Sequence, residues 1–157
     1  MMRDTEKAFL WIVNLLRQHR IRFRISGGLA ANVYGTKRVL ADIDIEVESE
    51  AVKVLFGVVK EYVTYGPKMY KDKEFNLLLM TLKYKGQEID ICGIDDLKYF
   101  NKQTGQWETQ KVKLSSCVRR KVYNRIVPII PLKDLITYKK KLMREVDIED
   151  VNVLTSL

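Results

Sequence analysis

Apolar residues recur at three- and four-residue steps near the start of the chain: Ala8, Phe9, Trp11, Ile12, Leu15 and Leu16 form one stripe, which predicts a helix over residues 4–20 capped by Asp4 or Thr5. The pattern then shortens. Phe23 to Ser26 reads as a strand that ends at Gly27-Gly28, and Leu29 to Tyr34 as a two-turn helix closed by Gly35. In residues 42–47 the period becomes two, so Ile43, Ile45 and Val47 face one side while Asp42, Asp44 and Glu46 face the other. A helix over Glu50–Tyr62, a turn at Tyr65-Gly66-Pro67 and a strand over Phe75–Tyr84 follow. Lys85-Gly86 then turns into a second alternating strand, with Glu88, Asp90 and Cys92 opposite Ile89 and Ile91. Residues 94–110 carry no clear period and read as a short helix and a loop. Val112–Val118 and Val122–Ile130 read as strands. From Pro131 a last helix presents Leu132, Leu135, Ile136, Leu142 and Met143 on one stripe with Lys139 near its middle. A lysine centred on an apolar face either snorkels outward or meets a buried anion.

The expected fold class is therefore α/β: a small, mixed, twisted sheet flanked by helices. With 157 residues, no repeat and no linker, a single domain is expected over 1–157. The composition, 46% hydrophobic and 31% charged, fits a soluble globular chain, and no apolar run approaches the roughly 20 residues needed to cross a bilayer. The charged opening residues do not form a secretory signal, so the cytoplasm is the expected location and no membrane partner is expected. Cys92 and Cys117 are too few for a disulfide framework or a zinc site. His19, among arginines, reads as a solvated residue.

A net charge of +8 favours an anionic partner. Carboxylates nonetheless concentrate at 42–50 and 88–96, an acidic pocket in a basic chain. Two carboxylates on one strand face repel each other unless a cation lies between them. A hard divalent ion suits such oxygen ligands and leaves positions for phosphate. Gly27 and Gly28 let backbone approach a ligand closely, and the following helix start points N–H groups at an anion. Alone, a Gly-Gly pair is a turn and an alternating Asp strand is a polar sheet face. In the order strand, Gly-Gly, helix, Asp-x-Asp they point to nucleotide chemistry. The dinucleotide and P-loop fingerprints are absent.

This combination resembles the signature of the nucleotidyltransferase superfamily, the DNA polymerase β-like fold. The run Pro131 to Lys139 (Asp-Leu-Ile-x-x-Lys), then Arg144 and Asp147-x-x-Asp150, is similar to a C-terminal motif of one branch. That branch includes minimal nucleotidyltransferases, lincosamide-modifying enzymes and the toxin of the AbiE abortive-infection system. The resemblance implies transfer of a nucleoside monophosphate from a nucleoside triphosphate to a hydroxyl. Asp42, Asp44 and Asp90 would hold Mg²⁺, or Mn²⁺ in its place, with Asp90 acting on the attacking hydroxyl; Glu88 is the alternative third carboxylate. Gly27, Gly28, Arg38, Lys139 and Arg144 would bind the triphosphate, with Asp147 and Asp150 in support. Leu40 departs from the pattern, since related sequences often carry a small hydroxyl residue there. The acceptor, whether RNA, protein or small molecule, is not legible. A toxin acting beside an antitoxin partner and a non-catalytic nucleotide- or RNA-binding module are the other readings. A homodimer or partner protein is expected to complete the acceptor site of so short a chain.

Overall fold

The computed structural model describes residues 2–157. Helix α1 (Thr5–Gln18) begins at Asp4, whose carboxylate accepts from the Lys7 amide, and buries Ala8, Phe9, Ile12, Val13 and Leu16. Strand β1 (Phe23–Ser26) runs straight into α2 (Gly27–Tyr34), so the two glycines open the helix instead of forming a separate turn before it. Gly35, at φ 137°, ends α2. Strand β2 (Asp42–Val47) leads to α3 (Ser49–Val59), whose expected last turn is a 3₁₀ segment, Lys60–Tyr62.

The middle of the chain is more extended than its pattern suggests. Residues 65–67, expected as a turn, lie within β3 (Val63–Lys71), where the register against β4 (Phe75–Tyr84) shifts. Residues 94–110, expected as helix and loop, continue β5 (Gln87–Asn101) and form β6 (Gln106–Thr109). The expected strand over 112–118 is not formed. Its place is taken by irregular chain before the hairpin β7 (Val118–Val122) and β8 (Arg125–Ile129), which turns at Tyr123-Asn124, both at positive φ. Helix α4 (Leu132–Leu142) matches expectation, and a further helix, α5 (Glu145–Leu154), follows.

The eight strands form one mixed sheet in the order β3-β4-β5-β2-β1-β8-β7, with β6 on β5. Antiparallel β1–β2 and parallel β2–β5 pairings sit at its centre. This is the expected fold class, a mixed twisted sheet flanked by helices. The core is the apolar face of that centre. Ile43, Ile45, Val47, Ile89 and Ile91 join Phe9, Ile12 and Leu16 of α1 and Val52 and Leu55 of α3 in one buried cluster. Strict alternation leaves the polar halves of β2 and β5 on the opposite face, where the site lies. No helix among the described residues is long and apolar enough to cross a membrane.

Candidate active site

The parallel pairing of β2 with β5 sets Asp44 opposite Asp90 and Asp42 opposite Glu88. One carboxylate oxygen from each of Asp42, Asp44 and Asp90 lies within 4.8 Å of the other two. Glu88 stays exposed on the rim beside Asp42, so Asp90 and not Glu88 completes the group. Glu46, the third acidic residue on the same face of β2, is withdrawn from it. It is buried and accepts from Arg24 Nε at 2.7 Å.

Burial and neighbouring carboxylates raise the proton affinity of Asp44 and of Asp90. Burial, then the charges of Asp42 and Asp90, push Asp44 well above the ordinary carboxylate range. Burial also raises Asp90, and although a hydrogen bond from Thr81 opposes it and the charge of Asp42 adds to it, the carboxyl stands at about 6. That bond, Thr81 Oγ1 to Asp90 Oδ1 at 2.7 Å, aims the carboxyl group. An all-oxygen donor set this close fits a hard divalent cation such as Mg²⁺ or Mn²⁺. Cys92, further along the same face of β5, has its thiol raised by burial and by the nearby carboxylates, which leaves it a poor nucleophile.

Gly27 is required by this arrangement. Its φ is +62°, and a Cβ there would fall 2.0 Å from Asp44 Oδ2. Ser26 makes no side-chain cap to α2, and Gly27 and Gly28 at the start of that helix line the pocket. A Cβ on Gly28 would lie 3.0 Å from Leu40 and 3.2 Å from the Arg38 guanidinium, which places Arg38 over the same helix start.

The expected cations are all present around the pocket, and each is already paired. Arg38 makes two hydrogen bonds to Asp150, at 2.9 and 2.8 Å. Lys139, fully buried on the apolar face of α4, lies 3.2 Å from Asp147 and 2.9 Å from Asp150. Of the two fates open to that lysine, the buried anionic partner is the one adopted. Arg144 binds Asp147 through Nε at 2.6 Å and caps α5 with it. Three cations therefore share two buried carboxylates, leaving a formal charge of +1 on the wall facing Asp42 and Asp44. Burial raises Asp150, but hydrogen bonds from Arg38 and Lys139 outweigh it and hold the carboxyl below the usual range.

These groups line one open cavity of about 460 Å³. Its lining also includes residues that sequence reasoning did not single out, among them Tyr70, Asp72, Phe75, Leu77, Leu79 and Tyr138. The alternation of Phe75, Leu77, Leu79 and Thr81 along β4 was the available signal. The basic cluster Arg119, Arg120, Lys121 and Arg125 lies on the β7–β8 hairpin and lines no part of this cavity.

Solved structures of the same shape exist. A Thermotoga maritima protein assigned to the nucleotidyltransferases aligns at a TM-score of 0.68, covering 98% of this chain and 96% of its own, at 18% identity. The chain has the nucleotidyltransferase fold. The lincosamide antibiotic adenylyltransferase LnuA, in its lincomycin-bound structure, aligns at 0.66 over 99% of both chains, with 17% identity. ANT(2'')-Ia in complex with adenylyl-2''-tobramycin aligns at 0.59 over 96% of this chain and 87% of its own, with 15% identity. No family model matches the sequence, and no curated protein matches it either. On the nucleotidyltransferase fold the described triad occupies adjacent central strands, and the glycine helix start abuts it.

Proposed function

We propose that the protein transfers a nucleoside monophosphate from a nucleoside triphosphate to the hydroxyl of a small-molecule acceptor, releasing pyrophosphate. One observation carries this reading: three carboxylates converge without a neutralising cation beside a helix start that abuts one of them. The fold supports it, and among neighbours of that fold one is a lincosamide adenylyltransferase bound to lincomycin and another is in complex with adenylyl-2''-tobramycin.

Asp42, Asp44 and Asp90 would hold Mg²⁺ or Mn²⁺, which when bound supplies Lewis-acid stabilisation of charge on the reacting phosphate oxygens. The chain's own groups do the rest. The opening amides of α2, at Gly27 and Gly28, receive the outer phosphates. Arg38, Lys139 and Arg144, fixed by Asp147 and Asp150, present net positive charge to the triphosphate without having to reorganise. Asp90, oriented by Thr81, accepts the acceptor's hydroxyl proton. The acceptor oxygen then forms its bond to the α-phosphorus, and the bond from that phosphorus to the bridging oxygen breaks. Pyrophosphate leaves with the electron pair.

The test is incubation of the protein with each α-³²P-labelled triphosphate, Mg²⁺ and a fractionated cell extract. Label should move to a low-molecular-weight fraction with stoichiometric release of pyrophosphate, and chelation with EDTA should stop it. Transfer unaffected by EDTA, or by Asp44→Asn, defeats the proposal.

A further inference from the structure

The sheet order arranges the pocket in a row. The start of α2 stands at the end of β1, Asp42 and Asp44 follow on β2, Asp90 on β5, and then the faces of β4 and β3. Phosphoryl displacement runs in line, with attacking and leaving oxygens on opposite sides of phosphorus and the remaining substituents spread around its equator. If pyrophosphate departs toward Gly27 and Gly28, the attacking hydroxyl must arrive from the β4 side. Asp90 marks that border, since its carboxyl is hydrogen-bonded to Thr81 of β4.

Beyond Thr81 the wall changes character. Leu79, Leu77 and Phe75 follow at two-residue intervals on the pocket face of β4, and Tyr70 of β3 stands opposite Leu77. None of these side chains is charged at neutral pH. The nearby carboxylate, Asp72, is committed to the hairpin turn: it accepts from the Tyr70 hydroxyl at 2.7 Å and from the amides of Glu74 and Phe75 at 2.8 Å. Glu88 lies at the other end of β5, with Lys83 as its cross-strand neighbour. Arg144 lies 5.3 Å from the centre of the Phe75 ring, so the negative charge of Asp72 at this wall is opposed by a positive one.

Pockets orient ligands with few polar groups on a largely apolar lining, and selectivity also comes from what the lining rejects. A polycationic acceptor would lose hydration on this wall, where the one carboxylate, Asp72, already accepts three hydrogen bonds and Arg144 stands nearby. We infer that the acceptor is an uncharged small molecule whose hydroxyl is carried on an apolar body, and that this body lies on Tyr70, Phe75, Leu77 and Leu79. The inference rests on the nucleotidyl-transfer reading and narrows it to one acceptor chemistry.

The test is equilibrium binding in the presence of Mg²⁺ and the unreactive triphosphate α,β-methylene-ATP. The probe is 4-methylumbelliferyl β-D-glucoside, a neutral polyol on an apolar ring, followed by its fluorescence anisotropy. Glucosamine trimer (a polycation) and oligouridylate (a polyanion) serve as competitors. The wild-type protein should bind the glucoside, and either competitor should need at least about tenfold higher concentration to displace it. Leu79→Glu should weaken glucoside binding by about tenfold or more, whereas the volume-conserving Leu79→Met should keep it. Both variants should bind TNP-ATP as the wild type does, which also shows that they fold. Preference for either charged competitor, no glucoside binding, or indifference to Leu79→Glu overturns the inference while leaving nucleotide transfer standing. Failure of the wild-type protein to bind TNP-ATP, TNP-GTP or α,β-methylene-ATP removes both.

Discussion

Two acidic clusters face each other across one pocket. Asp147 and Asp150 are buried and surrounded by Arg38, Lys139 and Arg144. Asp42, Asp44 and Asp90 crowd together with no ion pair among the described residues, while the nearby cations are spent elsewhere. Burial acts on both clusters in the same sense, yet Asp150 is held below the usual carboxylate range and Asp44 is driven well above it. The difference is the supply of counter-charge. One cluster is a finished structural joint that ties α4 and α5 to the pocket wall. The other is left repelling itself, which is the condition a bound cation relieves.

The comparison predicts opposite consequences for removing charge on the two sides. The largest effect is on turnover. Asp44→Asn should lower the rate of pyrophosphate release by about a thousandfold or more, several kcal/mol of transition-state stabilisation, while circular dichroism shows an unchanged fold. Next comes stability. Asp150→Ala leaves Arg38 and Lys139 short of a buried partner, and denaturant titration should show a loss of about 3–5 kcal/mol.

Asp90→Asn should do the reverse in metal-free protein, and pH gives the sign. A carboxyl raised to about 6 in the folded state stabilises the fold below its unfolded value near 3.8, and that contribution is lost as pH rises through 6. Asparagine has no such loss. The variant should therefore match the wild type near pH 3.5 and exceed it by about 2 kcal/mol at pH 7.5, read from paired urea melts. Loss of the Thr81 hydrogen-bond geometry would trim this margin but not its pH dependence. The smallest effect belongs to a third setting, the solvent-exposed pair Arg22–Glu48, where Glu48→Gln should change stability by no more than about 1 kcal/mol.

The acidic face was legible because strands alternate: the same period that buries Ile43, Ile45, Ile89 and Ile91 exposes Asp42, Asp44 and Asp90 to one pocket. Lys139 was legible as an anomaly on an apolar stripe, although its partners were not. They sit on α5, whose buried positions are Asp147, Asp150 and Leu154. A helix that turns two carboxylates inward has no apolar period to read. The second half of β5 was hidden for a related reason. Asp95 and Asp96 interrupt the alternation, Asp95 bonding to the Ser49 amide and Asp96 adopting positive φ, so the strand looks like a loop. In β3 the turn-forming pair Gly66-Pro67 occupies an irregular register within an extended strand. The paired state of Arg38 and Arg144 could not be inferred at all, since it depends on contacts across 112 residues in one case and on helix capping in the other.

Manganese titration followed by electron paramagnetic resonance addresses the uncompensated triad most directly. The wild-type protein should bind Mn²⁺ and unfold at a higher temperature as it does so. Asp44→Asn should bind none at the same concentrations, yet without metal be at least as stable as the wild type. Equal Mn²⁺ binding by the two proteins, or a metal-free Asp44→Asn less stable than the wild type, would contradict the account.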